Sequence, residues 1–510
     1  MRRLGRTRKL FAFLREHRHE LFDEAFQIEL EAMYRDTGAG KEPVPPALMA
    51  MVLLLQSYAG VSDAEAVELS VVDLRWQMVL GCLGAAEPAF SQGTLHDFRH
   101  RFIRANMDRR LLERTVELAR ATKSFDWKKL PKTLRVAIDS SPLEGAGRVE
   151  DTFNLLGHAA RAVVACVAAL LGWTTERVCS EARTPVLAAS SIKAGLDVDW
   201  SDPDQKAEAL NTLIEQLDSL QRWIERRMPE QMKEAPLRES LDTLKRLVEQ
   251  DLEPDPEGGG DKKIRKGTAV DRRVSLTDPD MRHGRKSKSK RFNGYKRHIA
   301  ADLDTKLILA AALTPANRPE GEAAPALRAD IELQQLSIGE LYVDRGYINS
   351  PIVDHLLHFG GDVFCRPWMA HNANGLFSKA DFNINLRNRT VTCPGGQVQP
   401  FQLGMVVEFA AEECANCPLR AQCTTAAPGQ GRFLRIADDE RLQQRLRKRM
   451  GTKKGRAQLR QRVGVEHRLA HLAQRQGRRA RYIGLRRNLF DLRRASAVLN
   501  LEVIHQKVAA

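Results

Sequence analysis

The chain has 510 residues, 43% of them hydrophobic, enough for a sizeable core and for about three or four domains at roughly 100–200 residues each. Its 80 Lys and Arg against 65 Asp and Glu leave a formal charge of +15, which points to a polyanionic partner, nucleic acid above all, or else to a generally basic surface without one. No uninterrupted apolar run reaches the roughly 18–20 residues of a membrane span, and the basic start MRRLGRTRKLF lacks a signal-peptide pattern, so a cytoplasmic protein with no membrane partner is expected.

Residues 1–125 read as helical throughout. Leu48, Val52 and Leu55 recur at helical spacing after Pro45 and Pro46, a helix start. Ser91 and Thr94 are N-cap candidates ahead of LHDFRHRFIR. There Leu95, Phe98 and Phe102 share one face, and Arg99, His100, Arg101 and Arg104 cluster elsewhere. Such a basic face either lies along DNA, with Arg99 and Arg101 as contacts, or is simply solvated.

LRVAIDSSPL, from Leu134, alternates as a strand, and Ser140, Ser141 and Pro142 are expected to end it at Asp139. A long helical region follows, from about 148 to 250. Within it Ala162–Trp173 reads as a buried helix, and the charged, heptad-like stretch Gln205–Asp251 as an antiparallel pair serving as spacer or dimer surface. EPDPEGGGDKK, Glu253–Lys263, reads as a flexible linker. From about 264 strands return. RFNGYKRHIAADLDTKLILAAALTP gives a hairpin, a helix near 320–336 leads to ELYVDRGYIN, and a short helix from Pro351 leads to GGDVFCRPW. The sum is a mixed sheet with helices packed on it.

Two apolar runs thus end in carboxylates, Asp139 and Asp344. Carboxylates at strand ends suit a divalent ion of the magnesium type, and a pair of such ions activates an attacking oxygen and stabilises a leaving one. A third ligand is sought in RQRVGVEHRLAHL. Val465, Leu469 and Leu472 form an apolar stripe there, and Glu466 lies beside it, four residues after Arg462. Glu466 is either that ligand or a salt-bridge partner in a basic helix. Of the eight cysteines, Cys82, Cys166, Cys179 and Cys365 sit in apolar contexts as reduced core residues. Cys393, Cys414, Cys417 and Cys423 have the spacing of a structural zinc site, the alternative being four reduced thiols in a small β module. The basic stretches RLRKRM, GTKKGR and RRARYIGLRR suit DNA phosphates, and Lys296, Arg297 and His298 are candidate phosphate contacts beside the site.

The ordered set AIDSSPLEGAGRVEDTFNLLGHA, NGYKRHIAAD, LTPANRPE, ELYVDRGYI and RQRVGVEHRLAHL resembles the D-D-E transposases of bacterial insertion sequences. FSQGTLHDFRHRF and FDLRRASAVLNL extend the resemblance over most of the chain outside the helical insertion. It implies an α/β, ribonuclease H-like catalytic domain holding Mg2+ or Mn2+ on Asp139, Asp344 and Glu466. It also implies phosphoryl transfer on double-stranded DNA, acting on terminal inverted repeats and target DNA, with a homodimer at synapsis. The domains expected are an all-α, end-binding unit over 1–125, a first catalytic strand over 130–147, and an insertion and linker over 148–260. The main catalytic part follows over 261–368, a Cys-rich β module over 369–440, and basic helices carrying the Glu over 441–505. The family pattern places Tyr and Arg before the Glu and a basic residue after it. Arg462 matches the Arg; Leu459 and Ala473 depart, with Arg475 a candidate substitute. A metal-dependent nuclease without strand transfer and a non-catalytic or decayed DNA-binding protein remain alternatives.

Overall fold

The computed structural model describes residues 9–35, 42–122, 125–255, 262–287, 289–368, 370 and 375–508. Among the described residues seven helices come first: α1 (Lys9–Leu21), α2 (Glu24–Glu31), α3 (Pro46–Ala59), α4 (Asp63–Val72), α5 (Leu74–Leu80), α6 (Gln92–Arg104) and α7 (Met107–Ala121). α3 starts on the Pro45–Pro46 pair and ends at Gly60 in the left-handed region, φ 74°. Ser91 caps α6 by accepting from the Thr94 N–H.

β1 (Leu134–Glu144) opens the sheet, and the helical insertion follows it. The insertion holds α8 (Thr152–Leu171), α9 (Thr175–Ala182), α10 (Pro185–Ala188), α11 (Ile192–Leu196), α12 (Pro203–Arg227) and α13 (Leu237–Asp251). It has its own core, built from Leu155, Val163 and Val167 of α8 with Leu213, Leu220 and Leu247 of α12 and α13. α12 and α13 line one cavity together and also pack on α8, which covers the apolar stripe of each. α8 itself is long and apolar enough to cross a membrane by length and composition, and half of it is buried in the insertion. The sequence count stopped at Arg161, but the helix runs through it, because Leu187 and Ala189 carbonyls accept from its guanidinium at 2.9 and 2.5 Å.

The short strands β2 (Leu252–Pro254) and β3 (Lys262–Ile264) pair with each other, so the ends of the expected linker are ordered; its middle, 256–261, lies outside the described residues. Next come β4 (Arg282–Arg285), β5 (Arg291–Asp302), β6 (Ile308–Pro315), α14 (Ala324–Leu333), β7 (Ile338–Tyr342), α15 (Pro351–His358) and β8 (Asp362–Phe364). They complete a 6-stranded mixed sheet in the order β4-β5-β1-β7-β8, with β6 also pairing β5. β1 is antiparallel to β5 and parallel to β7, and β7 is parallel to β8.

One expectation fails here. Ser140–Pro142 do not end β1, which continues against β5 as far as Glu144. β7 has already stopped pairing at Ala137, so the other side of β1 is open from there. The Glu144 N–H points to that open side, toward the Arg478 carbonyl. Pro142, two residues earlier, has the same orientation, so its missing N–H costs the ladder nothing.

A small module with β9 (Asn383–Asn385), β10 (Thr390–Thr392), β11 (Val398–Pro400), β12 (Val406–Glu408), β13 (Phe433–Arg435), α16 (Ala411–Ala415) and α17 (Arg420–Cys423) follows around its own core of Phe382, Val391, Phe409 and Leu434. The chain ends in α18 (Glu440–Met450), α19 (Lys453–Arg460), α20 (Val463–Gln476) and α21 (Leu485–Val508).

α21 joins the first and last parts of the chain. The amino-terminal helices share one core with the sheet and with α21, running from Leu10 and Leu53 through Val136 and Ile299 to Leu501. Asn500 is wholly buried in it. Its amide accepts from Ile308 N–H at 2.7 Å and donates to Ile308 O at 2.8 Å and Thr115 Oγ1 at 2.9 Å, tying α21 to β6 and α7.

Candidate active site

The sheet register puts two carboxylates side by side. The last β1–β7 pair is Ala137 with Tyr342, and Asp139 and Asp344 each lie two positions beyond it. Since side chains alternate along a strand, both leave on the face that Ala137 and Tyr342 share. Asp139 is held in the middle of β1, opposite Ile299, and accepts from the Ser140 N–H at 2.9 Å. Asp344 caps the turn Arg345–Tyr347 by accepting from the Gly346 N–H at 2.9 Å.

α20 brings the third acid. Val465, Leu469 and Leu472 are buried, seating the helix on β1 and β5. Glu466, next to Val465, is left at the margin of that contact. There it lines one cavity of about 490 Å3 together with Asp139 and Asp344. Arg462 stands between the acids. One guanidinium nitrogen is 2.6 Å from Glu466 Oε1 and the other 3.3 Å from Asp139 Oδ2. Burial raises the Asp139 carboxyl above the usual carboxylate range; Arg462 opposes this, and Asp344 and Glu466 add to it. Asp344 is raised in the same way, by burial and then by Glu320. Among the described residues, Arg462 is the cation paired with two of these acids.

Among the described residues, no three His, Cys, Asp or Glu side chains are already drawn close enough to hold an ion. The donor set still fits a hard divalent cation, since it offers carboxylate oxygens converging on a guanidinium that stands in for positive charge.

The other predicted contacts separate. Lys296 lines the cavity, its Nζ donating to the Arg318 carbonyl at 2.7 Å. Arg297 does not face a phosphate. It is buried, donates to the carbonyls of Pro142 and Gly477, and burial lowers its guanidinium to about 10. His298 is also corrected. It is fully buried between the Tyr347 hydroxyl (2.6 Å) and Thr314 Oγ1 (2.9 Å), and burial pushes it down to about 3, so it is neutral. It shares its β5 face with Lys296, but the Tyr347 turn and Thr314 of β6 enclose its ring. Arg475 cannot replace a basic residue at Ala473: it bonds Glu502 at 2.5 Å and the Tyr58 carbonyl, on the α21 side of α20, whereas Ala473 lines the cavity. Arg99 is buried and paired with Asp63 at 2.5 Å, which removes it from any DNA-facing surface. Arg101 is half-buried with its guanidinium 4.9 Å from the Tyr34 ring centre.

Sequence reading missed two features. Arg285 and Lys286, on the β4–β5 hairpin, add positive charge to the cavity wall. Glu320 adds a carboxylate, its Oε1 2.5 Å from the Ser140 hydroxyl. An acid at a helix start reads as ordinary dipole matching, which hid it. The signal available was its position in LTPANRPE, just ahead of the Asp344 strand.

The four clustered cysteines line one smaller cavity. Cys393 Sγ accepts from the Gln397 N–H at 3.3 Å. A Cβ built on Gly395 would lie 3.0 Å from Cys417 Sγ and 3.7 Å from Cys393 Sγ, so a side chain there would crowd Cys417.

Residues 393–505, which include Glu466 and all four cysteines, match the family described as Transposase DDE domain; residues 8–101 match Transposase domain (DUF772). Asp139 and Asp344 lie outside both matched ranges. Comparison with curated proteins and with solved structures returns no match. With a transposase-domain match at each end and one core joining them, the chain is similar to DDE transposases in both its first and its last helices.

Proposed function

We propose that this chain is a transposase that binds the ends of an insertion sequence and catalyses their cleavage and transfer to target DNA, with Asp139, Asp344 and Glu466 as the ligands of Mg2+ or Mn2+. The observation that carries this reading is the placement of Asp139 and Asp344 beyond the last β1–β7 pair, with Glu466 lining the same basic-walled cavity. The sheet order supports a ribonuclease H-like core, with an antiparallel hairpin on one side of β1 and two parallel strands on the other. When bound, the metal activates the attacking oxygen and stabilises the leaving one. The chain's own part is to hold the three carboxylates and to keep Lys296, Arg285 and Lys286 where a phosphate backbone would lie. Hydrolysis of a phosphodiester at each end frees a 3′-hydroxyl, and that hydroxyl then replaces a 3′ oxygen in target DNA. The work is cytoplasmic, and joining two ends calls for a homodimer.

The test is cleavage of labelled double-stranded DNA carrying the flanking inverted repeats, in Mg2+ and in EDTA. Metal-dependent nicking at the ends followed by joined products is expected. Nicks without joining would leave a nuclease; end binding without nicks would leave a DNA-binding protein.

The Cys393, Cys414, Cys417 and Cys423 set forms a structural zinc site, supported by the shared cavity and by the backbone N–H that meets Cys393. Purified protein is expected to carry one zinc per chain. Cys417→Ser is expected to lose it and to melt earlier. Metal-free protein with an unchanged melting temperature in the variant would rule the site out.

A further inference from the structure

Glu320 opens the turn Glu320–Ala323 between β6 and α14. Its two oxygens lie between the middle of β1, which carries Asp139, and the turn after β7 that Asp344 caps. Oε1 accepts from the hydroxyl of Ser140, the residue after Asp139, at 2.5 Å. Oε2 lies over Gly346, two residues after Asp344, and would collide with a Cβ there. The carboxylate lines the same cavity as the three acids.

Its charge is uncompensated. Among the described residues the neighbouring acid Glu322 has Arg318 at 4.0 Å, but no Lys, Arg or His pairs with Glu320. Arg462 serves Asp139 and Glu466 on the other side. A half-buried carboxylate beside another must either share a proton with it or be joined to it by a cation. The chain has nevertheless cleared room for it by placing glycine at 346.

Resting on the metal reading above, we propose that Glu320 is a fourth carboxylate of the metal site, binding beside Asp344. A fourth acid gives the site the charge that a pair of divalent ions needs. A Cβ at Gly346 would meet Glu320 Oε2 and oblige that carboxylate to shift.

The test is Mn2+ binding to the full chain, without DNA, followed by the loss of the free-ion EPR signal. The proteins compared are wild type, Asp344→Asn, Glu320→Gln, Glu320→Asp and Glu322→Gln. Glu320→Gln and Asp344→Asn are each expected to weaken Mn2+ binding by about tenfold or more, and Glu322→Gln to leave it unchanged. Without metal, Glu320→Gln is expected to melt no earlier than wild type, since it removes a repulsion. Should Glu320→Gln fold poorly, Glu320→Asp keeps the charge on a shorter arm, and an affinity several-fold below wild type is expected. Wild-type Mn2+ affinity in the Glu320 variants, with Asp344→Asn weakened, would overturn this assignment alone. Mn2+ affinity that is insensitive to Asp344 would overturn the metal reading and this inference together.

Discussion

Asp344→Asn is expected to slow end cleavage by about 10³-fold or more while leaving DNA binding within about twofold. Loss of a ligand to a catalytic cation removes several kcal/mol of transition-state stabilisation, and about 4 kcal/mol corresponds to that factor. The substitution is nearly isosteric. An Asn oxygen can still accept from the Gly346 N–H, so the turn that follows β7 keeps its cap. It also removes a negative charge from a place where Glu320 already repels it, so the fold is not weakened. DNA affinity comes from Lys and Arg contacts to phosphate, and deleting an acid nearby does not reduce those. Cleavage of end-labelled DNA in Mg2+, beside a gel shift in EDTA, reads both quantities. Wild-type cleavage by the variant would remove Asp344 from the site; parallel loss of binding and cleavage would mean that it supports the fold instead.

The contrast between Asp344 and the basic residues shows what the sequence could reveal. Asp344 was legible because its position depends on local pattern: an apolar run, an acid, then Arg345 and Gly346. The same holds for Asp139 and for the stripe that presents Glu466. The order of strands and helices followed from apolar alternation, as the β5–β6 hairpin and the α14–β7 succession illustrate. Partners were not legible. Arg99 reads as a free cation until Asp63, on another helix, is brought 2.5 Å away. Arg297 and His298 lie in a basic run whose alternation was visible, but the Pro142 and Gly477 carbonyls and Tyr347 that enclose them come from remote segments. Arg475 required knowing that α21 lies against its side of α20. Glu320 was missed for the same reason. Its meaning depends on Ser140 and Gly346, and only the closed sheet puts them together. Pro142 misled in the opposite direction: a strand breaker by rule is harmless where one side of the strand is already unpaired.

Asp108→Ala is expected to destabilise the protein by about 3–5 kcal/mol, the usual cost of removing one partner from a buried ion pair. Asp108 is 1% exposed and holds two guanidiniums of α21. Arg486 is bound at 2.5 and 3.0 Å, and Arg493 at 3.2 Å. Arg493 is itself buried and has one other acid, Asp330 of α14, at 3.0 Å. Truncation would leave its charge to Asp330 alone in a core made of α7, α21 and β6, where the Asn500 bonds already show how tightly these elements meet. The consequence reaches the site through the chain: α21 packs against α20, and α20 carries Glu466. The amino-terminal helices, the sheet and the Glu466 helix should therefore melt as one cooperative unit, whose urea midpoint falls in the variant while the slope stays constant. Asp108→Ala combined with Arg493→Met and Asp330→Asn is expected to recover part of the loss, because neither buried charge is then left without a partner. A loss under about 1 kcal/mol, or two separate transitions of which only one moves, would show that the amino-terminal helices fold independently of the catalytic sheet.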